Sequence, residues 1–196
     1  MTVEEIKENL RFYTVGIAGV GGLGSNCAIA LARSGIGKLI IADYDVVSES
    51  NLNRQYYFFD QIGQIKVFAL KENIQRINPE MNIETHNLKI DELNFSHIFS
   101  ACDIIVEAFD KASEKKMLIE CVLSEFPEIP IISGVGMAGF GKSNSIKLYN
   151  SDNLYICGDG ISEVSEDNPP LAGRVGIVAN MQANTVLEIL LNNHFK

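Results

Sequence analysis

The stretch Gly19-Val20-Gly21-Gly22-Leu23-Gly24-Ser25 constrains this chain more than any other. It matches G-x-G-x-x-G, and its surroundings are those the motif requires. The apolar run YTVGIA (13–18) comes first and reads as a buried strand. Residues 22–34 follow, with small and apolar side chains at helical spacing. A strand that turns through glycines into a helix makes a phosphate site. The first glycine permits the tight turn, the second admits a phosphate to the backbone, and the third lets helix and strand pack closely. The helix end adds free N–H groups and a positive dipole end. Gly19, Gly21, Gly22 and Gly24 are therefore candidate nucleotide contacts.

The remaining sequence alternates in the same way. A short helix is predicted over 2–9, strands over 38–42, 82–87, 103–107 and 130–134, and helices over 65–77, 91–100 and 111–125. A polar stretch runs from the second strand to about residue 60. Alternation of this kind predicts an α/β fold: a Rossmann-like, mostly parallel sheet flanked by helices. After Gly134 the texture changes. Residues 145–149 and 153–157 read as two short strands forming an antiparallel extension. Residues 158–173 are acidic, with Gly and Pro at both ends, and read as a long mobile loop. A long apolar helix over 174–192 closes the pattern. With no linker or repeat in view, residues 1–196 read as a single nucleotide-binding domain.

Charge narrows the partners. The net charge of −9 counts against non-specific binding to nucleic acid, which needs cations against phosphate. It leaves room for a nucleotide site, where a few local cations and N–H groups suffice. The four cysteines, Cys27, Cys102, Cys121 and Cys157, form no C-x-x-C pair and read as small thiols in a reducing compartment. The amino terminus, MTVEEIKENL, is acidic and does not read as a signal peptide, and no apolar run is long enough to span a bilayer. A cytoplasmic protein without a membrane partner is the expectation.

Asp43 ends the second predicted strand, 19 residues beyond Gly24. An acidic residue there accepts hydrogen bonds from ribose hydroxyls, a role that Asp45 could take instead. To this point NAD and ATP fit equally, since both carry an adenosine ribose.

The segment DYDVVSESNLNRQYYFFDQIGQIK (43–66) separates them. With GVGGLGS before it and RINP (76–79) and EAFD (107–110) after it, the chain resembles the ThiF, MoeB and ubiquitin-activating-enzyme superfamily. The likeness is greatest to short bacterial ThiF-like proteins. It implies an ATP-dependent adenylyltransferase: the terminal Gly-Gly carboxylate of a small ubiquitin-like sulfur carrier attacks the α-phosphate of ATP, releasing pyrophosphate. The resemblance further implies a ThiS-like carrier in thiamine synthesis, and a homodimer. It gives Arg54 and Lys66 the role of cations on the phosphates, Asp110 that of Mg²⁺ ligand, and Asn51 and Gln55 that of phosphate or ribose contacts. Catalysis would then rest on Arg54, Lys66 and Asp110.

Three features depart from the family pattern. Relatives hold zinc with two C-x-x-C pairs, whereas only Cys157 lies in the matching region, so no zinc is expected. Relatives also carry a cysteine in the loop before the last helix, and 158–173 has none. Arg11 does not match the arginine that relatives send into a neighbouring subunit's site. Other readings are the same chemistry on a peptide, another ubiquitin-like protein or a tRNA base, an NAD-dependent oxidoreductase, and a catalytically silent scaffold.

Overall fold

The computed structural model describes residues 1–192. Seven strands form one sheet among them: β1 (Thr14–Ala18), β2 (Lys38–Ala42), β3 (Asn82–His86), β4 (Ile104–Glu107), β5 (Ile131–Gly134), β6 (Lys147–Ser151) and β7 (Leu154–Gly158). Their order across the sheet is β3-β2-β1-β4-β5-β7-β6. Only β6 runs antiparallel, against β7, while β7 pairs parallel with β5. Six helices connect or flank them: α1 (Val3–Leu10), α2 (Gly22–Ser34), α3 (Lys66–Gln75), α4 (Phe95–Phe99), α5 (Ala112–Glu125) and α6 (Ala172–Asn192). The α/β class and the antiparallel extension agree with the sequence reading.

Strand alternation sorts the core into two layers. Val15, Ile17, Leu39, Ile41, Ile104, Val106 and Ile132 join residues of α2, α3 and α6 in one cluster. Ala18, Ile40, Ala42, Ile105 and Ile131 face the other way, onto α4 and α5. Successive side chains of a strand point to opposite faces, so a strand covered on both sides must be apolar throughout. Helix α6 presents Val175, Val178, Ala179, Gln182, Ala183 and Val186 in steps of three and four, the stripe a helix needs to lie along a sheet. No helix among the described residues is long and apolar enough to cross a membrane.

Several boundaries differ from the sequence expectation for local reasons. The helix expected over 91–100 shrinks to α4, because Asp91 and Asn94 bond each other's backbone: Asn94 Oδ1 accepts from Asp91 N at 3.0 Å, and Asp91 Oδ1 from Asn94 N at 3.1 Å. Short polar side chains compete in this way with the first helical turn. The strand expected at 145–149 begins two residues later, since Ser143–Ser145 close a 3-10 turn. Helix α6 starts at Ala172, shortening the loop before it. The polar stretch after β2 holds two 3-10 turns, Glu49–Asn51 and Phe59–Gln61.

Candidate nucleotide site

Strand order reverses between β1 and β4. In open α/β sheets the crevice beyond the carboxyl ends of such strands binds ligands. The glycine turn, Asp43 and the turn after Glu107 all leave the sheet at that edge. Gly19 has φ +87°, and a Cβ there would lie 2.9 Å from the Ala108 carbonyl oxygen. A Cβ on Gly24 would stand 1.9 Å from the Gly19 carbonyl oxygen, so any side chain there would force the helix off the turn. Gly21 is the N-cap of α2 and makes no side-chain cap bond, and Gly22 opens the helix. The first turn therefore presents its N–H groups without a protein side chain across them.

Three side chains fasten the segment 54–57 to this turn. Ser25 Oγ donates to Gly21 O at 2.6 Å and accepts from Tyr56 N at 3.0 Å. Asn26 Nδ2 donates to Gly22 O at 2.7 Å and to Arg54 O at 2.8 Å. Tyr57 Oη donates to Val20 O at 2.7 Å. Burial, and then the charges of Asp43 and Asp45, hold the Tyr57 phenol well above its ordinary pKa, so it stays a donor. From the other side Asn73 of α3 donates its Nδ2 to Tyr56 O at 3.0 Å, and two 2.9 Å bonds with the buried Gln61 amide hold it in place.

The sequence candidates come together here, in varied states. Asp43 directly follows β2 with both oxygens engaged: Oδ2 accepts from Val20 N at 2.8 Å and Oδ1 from Asp45 N at 2.8 Å. Burial raises its pKa, and those two N–H donors oppose the rise, as does Lys66. Asp43 thus joins the end of β2 to the glycine turn. Lys66 is 4 % exposed, and its Nζ lies 2.7 Å from Asp45 Oδ2. That bond uses one of the three ammonium donors and one carboxylate oxygen. Asn51 spends Oδ1 on Ser48 N at 3.1 Å, capping its own 3-10 turn.

Arg54 is the available cation. Its Cγ and Cδ pass over Gly22, 3.7 Å from where a Cβ would stand. Its Nη1 donates to Ser50 O at 3.1 Å and Asn53 Oδ1 at 2.8 Å, both neutral acceptors. No carboxylate lies within salt-bridge reach of it among the described residues. Gln55 is 9 % exposed, and its Oε1 is buried without a hydrogen-bond partner among the described residues. Its Nε2 lies 3.7 Å from the Cβ position of Gly21. A buried acceptor without a donor is costly, and a ligand hydroxyl or amine would satisfy it.

Asp110 is exposed on the turn between β4 and α5. It does not cap α5: the N-cap is Lys111, with no side-chain bond to the helix. An exposed carboxylate at this edge could serve a cation such as Mg²⁺, which takes one or two carboxylates together with phosphate oxygens. The turn rests on a network that sequence reading left out. Glu107, fully buried, accepts from Phe109 N (Oε1, 2.7 Å), from Ser133 Oγ (Oε2, 2.6 Å) and from Lys115 Nζ (Oε2, 2.5 Å). Lys115 also donates to Gly134 O at 3.0 Å, and Gln182 Nε2 donates to Glu107 O at 3.1 Å. Lys115 and Gln182 look like ordinary helix residues in the sequence, and only the topology brings them to the strand ends.

No cysteine is in a disulfide among the described residues, and three of the four are buried. Cys157 is buried with its Sγ 3.9 Å from Thr185 Oγ1, and burial pushes its thiol up to about 11. Nor do three of His, Cys, Asp and Glu gather as a metal cluster among the described residues. Arg11 lies beyond the opposite edge of the sheet, paired with Glu8 at 2.8 Å and stacked over Phe12.

A turned strand–helix junction at a topological switch point, with no side chain capping α2, gives this α/β domain an open glycine turn at its carboxyl edge. Residues 2–196 match the ThiF family model, and the chain belongs to that family. It is 32 % identical to the ubiquitin-like modifier-activating enzyme 5 of Xenopus laevis, covering 98 % of this chain and 54 % of that protein. It is 33 % identical to the adenylyltransferase and sulfurtransferase MOCS3 of Caenorhabditis briggsae, over 93 % of this chain and 47 % of that one. The chain therefore spans about half the length of these curated relatives. The fold matches the E. coli tRNA N6-threonylcarbamoyladenosine dehydratase in complex with AMP, with a TM-score of 0.88 and 20 % identity, covering 98 % of this chain and 91 % of that one.

Proposed function

We propose that this chain uses ATP and Mg²⁺ to adenylate the C-terminal carboxylate of a small ubiquitin-like carrier ending in Gly-Gly. The observation that carries the reading is Arg54: a guanidinium without a carboxylate partner among the described residues, its stem laid over the first residue of an uncapped helix. A hydride-transfer site has no need of it. The carrier's carboxylate is ionised at neutral pH, so no base is required. One carboxylate oxygen bonds to the α-phosphorus, the bond to the bridging oxygen breaks, and pyrophosphate leaves with the electron pair. The difficulty is an anion approaching a polyanion. Arg54 and the N–H groups of α2 hold the phosphates, Lys66 adds charge from beneath Asp45, and Asp43 and Gln55 face the ribose side. Asp110 would hold Mg²⁺, which when bound neutralises phosphate charge.

The acceptor is proposed as a class. The relatives' names include a ubiquitin-like modifier and a sulfurtransferase, and the ThiS-like carrier of thiamine synthesis is one candidate within that class. Homodimer formation is part of the same proposal. Pyrophosphate exchange into ATP, run against carriers that end in Gly-Gly, tests the reading. Exchange with none of them, alongside turnover of a tRNA base, would replace it. A simpler measurement separates the nucleotides. MgATP at about a hundred times its dissociation constant should stabilise the fold by roughly 2.7 kcal/mol, raising the melting temperature by about 5–10 °C. NAD should leave it unchanged, and the opposite pattern would favour an oxidoreductase.

The acidic loop has firm ends. Asp159 Oδ2 meets Arg174 Nη2 at 2.6 Å, and Gly139 N donates to Pro169 O at 3.0 Å. Burial tends to raise the Asp159 pKa, but bonds from Ser162 and Ile161 and the Arg174 charge hold it at about 2. Between these anchors, Ile161 and Val164 are exposed. We assign that middle part to the carrier's tail, which it would cover on entry. Replacing 160–168 by glycine and serine should then weaken carrier-dependent turnover while sparing MgATP binding. Equal loss of both would make the loop structural.

A further inference from the structure

We propose that Asn26 is the positioning residue that sets Arg54 over the phosphates. This rests on the reading of Arg54 as the cation of the adenylation site. Helix α2 begins at the glycine turn. Its first turn must stay open to a ligand, so the segment 50–57 cannot be held by a cap across the N–H groups. Holding it instead from the side requires donors or acceptors one turn further along. Ser25 and Asn26 stand there, each four residues after a glycine of the turn. Ser25 takes the Tyr56 N–H, and Asn26 takes the Arg54 carbonyl.

The Asn26 amide is shared. One Nδ2 reaches Gly22 O at 2.7 Å and Arg54 O at 2.8 Å, so the same group measures the distance from the helix to the arginine backbone. The Arg54 stem then lies over that same Gly22. Among the described residues the guanidinium itself is held by Ser50 O and Asn53 Oδ1, neutral groups of its own turn. The backbone anchor therefore decides how far the guanidinium can reach, and the neutral contacts are ones a phosphate can displace. A charge misplaced by about 1 Å costs far more than a lost neutral hydrogen bond.

The test is a double-mutant cycle on ligand binding, read by calorimetry with MgATP and with adenosine. Asn26→Ala should weaken MgATP by about tenfold and leave adenosine unchanged, because only the phosphates meet Arg54. In the Arg54→Ala background, Asn26→Ala should cost nothing more, since interacting residues are not additive. Asn26→Leu, which keeps the size and removes the amide, should behave like Asn26→Ala, and thermal melting establishes that each variant is folded. Losses that multiply in the double variant, or an equal loss of adenosine, would overturn Asn26 as a positioner while leaving Arg54 in place. If Arg54→Ala alone left MgATP affinity and pyrophosphate exchange intact, the underlying reading would fall and this one with it.

Discussion

Arg54→Ala is expected to lower kcat for pyrophosphate exchange by on the order of 10²-fold, with a smaller loss in MgATP affinity. The asymmetry follows from where charge gathers. In the proposed bound state the triphosphate would be shared between Arg54, the helix end and Mg²⁺. As the carboxylate arrives, negative charge builds at the α-phosphate, and a contact that strengthens at that moment acts on the rate more than on binding. Arg54→Lys should recover little, because an ammonium cannot reproduce a planar fork that reaches past Gly22. Asp110→Asn is the companion variant. It keeps the size of the side chain and removes the charge, and α5 is unaffected because Lys111 holds the cap position. Its activity should fall at low magnesium and recover in part as magnesium is raised. Full exchange by Arg54→Ala would leave the proposed mechanism without its main cation. Full activity of Asp110→Asn at low magnesium would remove Asp110 from the metal.

The glycine turn was legible because its chemistry is local. A tight turn, a close backbone approach and a helix start each restrict one residue type, and the restriction is written at adjacent positions. Asp43 was legible as a residue but not in its first duty. The sequence points it toward ribose, while in the fold it receives Val20 N–H and so holds the glycine turn to the end of β2. The pairing of Lys66 with Asp45 spans 21 residues and needs the chain to double back through two 3-10 turns, which no periodicity announces. The same holds for Asn26. It sits on a helix face that reads as small and apolar, and its partner is a backbone carbonyl, which carries no sequence mark at all.

The pairing of Glu107 with Lys115 behind the site gave no sequence signal, and it leads to the largest expected effect on stability. Lys115→Met should cost about 3–5 kcal/mol, because it leaves the fully buried Glu107 carboxylate without its cation. For a chain of this length that lowers the melting temperature by on the order of 10 °C. The penalty belongs to the stranded charge more than to the lost bond. Combining Lys115→Met with Glu107→Gln should therefore recover part of it. The amide oxygen can still accept Phe109 N and keep the turn toward Asp110, and no charge is left in the apolar layer. Glu107→Gln alone leaves Lys115 with the Gly134 carbonyl, and its position at the rim, where it is partly exposed, lets it reach water. That variant should be the mildest of the three. A double variant that is less stable than Lys115→Met would mean the pair stabilises the strand ends beyond the cost of an uncompensated charge. A Lys115→Met variant that melts with the parent would mean that Glu107 finds another partner, and the account of the turn that carries Asp110 would have to be rebuilt around it.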